Sequence, residues 1–227
     1  MKHVPLLLAV GLLGFAPCGL QAQTKPAPPS QKWEKTIVAF EEADRKSPPP
    51  QNAILFIGAS GIARWKTLSQ DFPGHTVINR GFGGSKIEDS TYYADRVIIP
   101  YHPKMIVFQA GGNDINAGKP PEQVAKDFEA FVAKVRGALP AVRILYLGVG
   151  PSPKRWEQRD KQQQLNQLVK AIIAQTKNTA FIDSWPWFLG PDGKPNDTLF
   201  VEDKLHHNAE GYKIRTRIVQ PFLDGAK

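Results

Sequence analysis

Five short apolar runs, separated by amphipathic stretches and turns, set the pattern of the chain. Ala53–Ile57 is a continuous apolar run ending at Gly58, and Thr76–Asn79, Met105–Phe108, Val142–Leu147 and Thr179–Ile182 are of similar length. Short runs of this kind without polar alternation fit strands buried on both faces, as in a parallel sheet. Between them lie helical patterns. After Pro120-Pro121, residues Val124, Phe128, Phe131, Val135 and Leu139 recur at helical spacing, and Pro140 closes the pattern. Leu165, Leu168 and Ile172 mark a second such face, and Asn208–Phe222 reads as the last helix.

Strands alternating with helices predict an α/β fold with a parallel sheet covered on both faces. Right-handed crossovers make that a three-layer α/β/α sandwich. No composition break or internal repeat appears between Trp33 and Lys227, so residues 33–227 are expected to form one domain.

The first residues follow a different pattern. Lys2 and His3 precede an apolar stretch, Val4–Phe15, and Ala22 closes the segment. A basic start, a short apolar centre and a small residue at the end predict a cleaved signal peptide over residues 1–22. The apolar stretch falls short of the roughly 20 residues that span a bilayer. Residues 23–32, rich in proline, read as a flexible leader. The mature chain is then expected to be secreted or periplasmic, without stable membrane insertion. Cys18 is the one cysteine of the chain and lies within the signal segment, which leaves neither a disulfide framework nor a Cys-rich metal site. Pro17 stands just before it, where a lipid-attachment signal wants a small residue.

The formal net charge of +8 comes from lysines and arginines scattered along the chain. No zinc-finger spacing or basic helix accompanies it, so nucleic acid is not an expected partner. The charge fits a cationic soluble surface. No motif sets an oligomeric state.

In open parallel sheets, ligands bind outside the carboxyl ends of the strands. The residues just after each apolar run are therefore the informative ones. They are Gly58-Ala59-Ser60-Gly61, Asn79-Arg80-Gly81-Phe82-Gly83-Gly84-Ser85 and Gln109-Ala110-Gly111-Gly112-Asn113-Asp114, joined by Asp203-Lys204-Leu205-His206-His207-Asn208 before the last helix. A serine, two glycine-rich turns, an asparagine and an Asp/His pair on one rim are the parts for acyl transfer. Serine is a weak nucleophile until a histidine takes its proton, and that histidine needs an acid to fix its tautomer. Ser60, His206 and Asp203 suit those roles. The backbone N–H groups of Ser60 and Gly84 and the side-chain amide of Asn113 suit an oxyanion hole.

Each part alone has a plainer reading. Ser60 could be a helix N-cap, Gly81-Gly83-Gly84 a phosphate-cradling turn, Asn113-Asp114 a cap pair, and Asp203/His206 a surface pair. Their conjunction, in this order, argues for chemistry. His207 competes with His206, but only His206 stands three residues from Asp203. Asp114 reads as structural, and Ser152 as a turn residue between two prolines. Trp185 and Trp187 are expected to pack rather than to stack on a sugar. Arg64 and Arg80 could meet an anionic part of a substrate or pair with nearby acids.

At these residues the chain resembles the SGNH hydrolases, also called GDSL-like lipases or esterases. Four family blocks match as Ser60, Gly84, Asn113 and Asp203/His206, and the likeness extends through Phe56-Ile57-Gly58, Gly112-Asn113-Asp114-Ile115 and Asn208-Ala209-Glu210-Gly211-Tyr212. The resemblance implies a flavodoxin-like sandwich with a five-stranded parallel sheet and ester hydrolysis through a Ser–His–Asp triad, with no metal or organic cofactor. The chain departs from the family at one point, since Ala59 stands where the usual block has aspartate. Ile62 also breaks the G-x-S-x-G elbow of the larger α/β-hydrolases. The expected substrate is a small-molecule or glycan ester, with O-acetylated carbohydrate or a short-chain acyl ester leading. Lysophospholipase, thioesterase and carbohydrate O-acetyltransferase activities are the alternatives, and a non-catalytic glycan-binding module is the rival from another class.

Overall fold

The computed structural model describes Met1 and residues 31–225. The expected signal peptide, and the leader up to Ser30, lie outside the described residues. Strands β1 (Ile54–Gly58), β2 (Val77–Gly81), β3 (Met105–Gln109), β4 (Arg143–Leu147) and β5 (Thr179–Ile182) form one sheet in the order β2-β1-β3-β4-β5. Every neighbouring pair is parallel. The helices are α1 (Glu34–Lys46), α2 (Ser60–Ala63), α3 (Leu68–Asp71), α4 (Ile87–Tyr92), α5 (Ala94–Val97), α6 (Gly112–Asn116), α7 (Pro121–Ala138), α8 (Arg159–Ala174) and α9 (Ala209–Leu223).

Successive strand residues point to opposite faces, and this alternation divides the core in two. Leu55, Ile57, Ile106, Phe108, Ile144 and Tyr146 pack with side chains of α1, α4, α5, α7 and α8. Ile54, Phe56, Val107, Leu145 and Leu147 pack on the other face with Trp65, Phe72 and the α9 residues Ile218 and Val219. The chain is thus the three-layer α/β/α sandwich. On the first face Phe108 stacks on Phe131 of α7, ring centroids 4.0 Å apart. Buried aromatic pairs of this kind carry much of the packing energy between a helix and a sheet.

α1 lays Ile37 and Phe40, with Trp33 just before it, on the first core face, and within it only Ile37 is fully buried. It is held by charge as well. Arg96 donates to Glu41 and Glu34, and Arg80 pairs with Asp44, which also accepts from Tyr101. Arg80 is therefore committed to α1, which settles one of the two arginines left open by the sequence.

Candidate active site

The rim at the carboxyl ends of the strands is built first from backbone. Gly58 ends β1 with φ +135°, and a Cβ there would strike the Gln109 carbonyl of β3. Only glycine fits that approach. Ala59 N–H donates to Gln109 O at 2.9 Å, and the chain turns at once into α2 with Ser60 as its first residue. Ala59 has no side chain able to brace this turn, and other residues do so instead. Asn79 donates to Ile62 O (2.8 Å), while Tyr212 and Arg215 of α9 donate to Gly61 O (3.2 and 3.3 Å).

The loop before α9 brings its acid and base to the same place. His206 Nε2 lies 2.9 Å from Ser60 Oγ, and His206 Nδ1 lies 2.6 Å from Asp203 Oδ2. A carboxylate only accepts, so Nδ1 carries the proton and Nε2 faces the serine hydroxyl as acceptor. Asp203 Oδ1 accepts from the backbone N–H of Leu205 and His206. Partial burial works against the Asp203 charge, but the His206 side chain and these backbone donors prevail and hold its carboxyl well below the usual range. Arg64 Nη1 approaches Asp203 Oδ2 at 3.7 Å from a half-exposed position, where solvent screens it.

His207 also borders the cavity but has different partners. Its ring is buried, stacked on Phe188 at 4.1 Å, and its Nδ1 accepts from Arg215 Nε at 2.8 Å. Burial first, and then the Arg215 charge, push its pKa well below 6.5, so it is a neutral acceptor in the packing. The neighbouring histidines thus have separate environments.

Asn113, in α6 just past β3, faces the same cavity as Ser60 and His206. Its Nδ2 donates to Ser85 O (2.9 Å), and its Oδ1 accepts from Arg155 Nη2 (2.9 Å). A guanidinium only donates and a carbonyl only accepts, so the amide orientation is fixed. Ser60 N–H, in the first turn of α2, has no acceptor among the described residues. Gly84 sits on the loop after β2 with φ +80° and its Cβ direction against Trp33. It is exposed and does not line the cavity. The closest approach of this loop's glycines to Ser60 is instead at Gly83, where a Cβ would lie 3.9 Å from the Ser60 Cβ.

The cavity is small, about 80 Å³. Its wall includes two cationic residues that the sequence pattern does not mark, Arg155 and Arg215. Ser152 is buried, and its carbonyl accepts from Arg155 N–H. Trp185 stacks on Trp156 with centroids 6.3 Å apart, whereas Trp187 is 47% exposed and so is not the packed side chain expected of it. No group of three or more His, Cys, Asp or Glu side chains suited to a metal occurs among the described residues.

A parallel sheet with a serine, a histidine and an acid linked at its carboxyl rim is the arrangement of a serine hydrolase, and the family match makes the class an ester-cleaving one. The chain belongs to the GDSL-like Lipase/Acylhydrolase family, whose model matches residues 56–214. It is 30% identical over 189 residues to human platelet-activating factor acetylhydrolase IB subunit alpha1, covering 80% of this chain and 78% of the relative. Its fold is that of a GDSL-like lipase from Bacteroides thetaiotaomicron (TM-score 0.69, 20% identity, 84% and 98% covered). It is similarly that of a carbohydrate esterase family 3 protein from Talaromyces cellulolyticus (TM-score 0.60, 17% identity, 76% and 96% covered).

Proposed function

We propose that the chain is a serine esterase acting on short acyl esters, acetyl esters above all. The observation that carries this reading is the hydrogen-bonded line Ser60–His206–Asp203 opening on a cavity of about 80 Å³. His206 Nε2 takes the Ser60 proton as Oγ attacks the ester carbonyl, and Asp203 stabilises the imidazolium through Nδ1. The oxyanion is held by Ser60 N–H and the second Nδ2 proton of Asn113. His206 then protonates the leaving alkoxide. Water attacks the acyl-enzyme carbonyl, giving its proton to His206; the bond from that carbon to Ser60 Oγ then breaks, His206 returns the proton to Oγ, and the carboxylic acid is released.

The cavity volume supports the short acyl group. A small cavity beside Ser60 suits an acetyl group. The human relative is named as an acetylhydrolase, which agrees with an acetyl donor. O-acetylated carbohydrate is the leading substrate class for an exported enzyme of this kind. A panel of p-nitrophenyl esters from acetate to decanoate tests the reading. kcat/KM is expected to fall steadily as the acyl chain lengthens, and a maximum at eight or ten carbons would overturn it.

Export is part of this proposal and rests on the Lys2/His3, Val4–Phe15 and Ala22 pattern. The exported protein should have an intact mass lacking the first 22 residues. A mass retaining Met1, or carrying a lipid on Cys18, would contradict it.

A further inference from the structure

We infer that Arg155 is a positioning residue of the oxyanion site, acting through Asn113, and this rests on the serine-esterase reading above. Arg155 stands in a 3-10 turn (Pro153–Gln158), and its Nη2 donates to Asn113 Oδ1 at 2.9 Å. Its Nη1 lies at the start of α6, 3.4 Å from where a Gly112 Cβ would stand. The guanidinium therefore covers the backbone that presents Asn113 to the cavity.

The turn itself is tied to the loop that carries the acid and base. Lys154 N–H donates to Lys204 O at 2.9 Å, one residue from Asp203, and Arg155 N–H donates to Ser152 O at 3.2 Å. The turn is thus tied to the Asp203–His206 loop through Lys154, and the Arg155 side chain ties it to Asn113.

The charge is unusual for its surroundings. No carboxylate among the described residues lies within ion-pair distance of Arg155, and its one side-chain acceptor is a neutral amide. Burial of this unpaired cation pulls its pKa down, a cost with no compensating ion pair. A cation held beside a group that must donate to a developing oxyanion has two effects. It fixes the amide with Nδ2, not Oδ1, toward the cavity. It also polarises that amide, so its N–H becomes a stronger donor as negative charge forms on the substrate oxygen. The free ester carries no full charge at that oxygen, so the gain belongs to the transition state.

The test is a double-mutant cycle on p-nitrophenyl acetate. Asn113→Ala alone is expected to lower kcat about 10²–10³-fold, the usual loss for one oxyanion donor. Arg155→Met keeps the reach of the side chain but removes its charge and donors. It is expected to lower kcat about 10–100-fold, as for loss of a charged hydrogen bond, with KM little changed. In the Asn113→Ala background the same substitution should have almost no further effect, because the group it acts through is gone. If Arg155→Met folds poorly, Arg155→Lys reads the same cycle, since it keeps charge but loses the planar fork. Equal losses with and without the Asn113 amide would overturn the inference. So would a rise in KM at unchanged kcat, which would make Arg155 an anchor for an anionic substrate group. Labelling of Ser60 by a fluorophosphonate on the wild-type preparation reads the parent proposal separately. An unlabelled Ser60 removes the esterase mechanism whatever Arg155 does, and a labelled Ser60 with an indifferent Arg155→Met removes only this inference.

Discussion

At the scale of single residues, the adjacent histidines show how environment divides two identical side chains. His206 is hydrogen-bonded on both ring nitrogens, to Asp203 and Ser60, whereas His207 is buried between Phe188 and Arg215. His206→Ala is expected to lower kcat nearly as much as loss of the nucleophile, roughly 10⁶-fold in such triads, with Tm almost unchanged. His207→Ala should do the reverse. It leaves a cavity against Phe188 and deprives the buried Arg215 of an acceptor, so Tm falls while the folded fraction keeps most of its kcat. Steady-state kinetics and thermal unfolding on both variants check the ranking. Spacing from Asp203 was enough to single out His206 in the sequence. Arg155 and Arg215 were not legible there, because a basic residue in a chain with 29 lysines and arginines reads the same whether solvated or buried. Their partners are also remote, Asn113 standing 42 residues from Arg155.

At the scale of elements, α6 is fixed to α4 by a buried acid beside Asn113. Asp114 is fully buried, and its Oδ1 accepts from Ile87 N–H at 3.3 Å. Its Oδ2 has no partner among the described residues. Burial outweighs the nearby Lys119 charge and raises its pKa from 3.8 to about 6. The folded chain therefore keeps a proton that the unfolded chain releases between pH 4 and pH 6. Stability contributed by this group is present at the acid end and declines as pH rises through that window. Relative to Asp114→Asn, the wild-type Tm should fall across it and run parallel above it, as measured by thermal unfolding at a series of pH values. A constant difference from pH 4 to pH 7 would show that Asp114 titrates normally. The strands were legible because each is a short apolar run, fully buried in β1 and nearly so in β3 and β4, but the sequence placed the ends of β1 and β2 early. β1 continues to Gly58 and β2 through Arg80 to Gly81, and these pair in register, Gly58 with Gly81, without any apolar signal. α1 was not singled out because its apolar stripe is short, Trp33, Ile37 and Phe40, and charged residues that pair with Arg80 and Arg96 fill the rest of it.

At the scale of the whole molecule, the sheet order places β1 and β3 side by side at the centre, and the residues that follow them carry Ser60 and Asn113. α9 packs on one sheet face, and the loop before it delivers Asp203 and His206 from the far end of the chain. The three-layer fold thus gathers groups 146 residues apart onto one rim. Among the described residues no helix is long and apolar enough to cross a membrane. The proposed chemistry turns on Ser60 as the nucleophile. Its most direct test is reaction of the pure enzyme with a fluorophosphonate, followed by peptide mass spectrometry and turnover of Ser60→Ala. A single adduct on Ser60, no adduct on Ser60→Ala, and turnover of that variant reduced roughly 10⁶-fold are expected. An adduct on another residue, or near-normal turnover by Ser60→Ala, would contradict it.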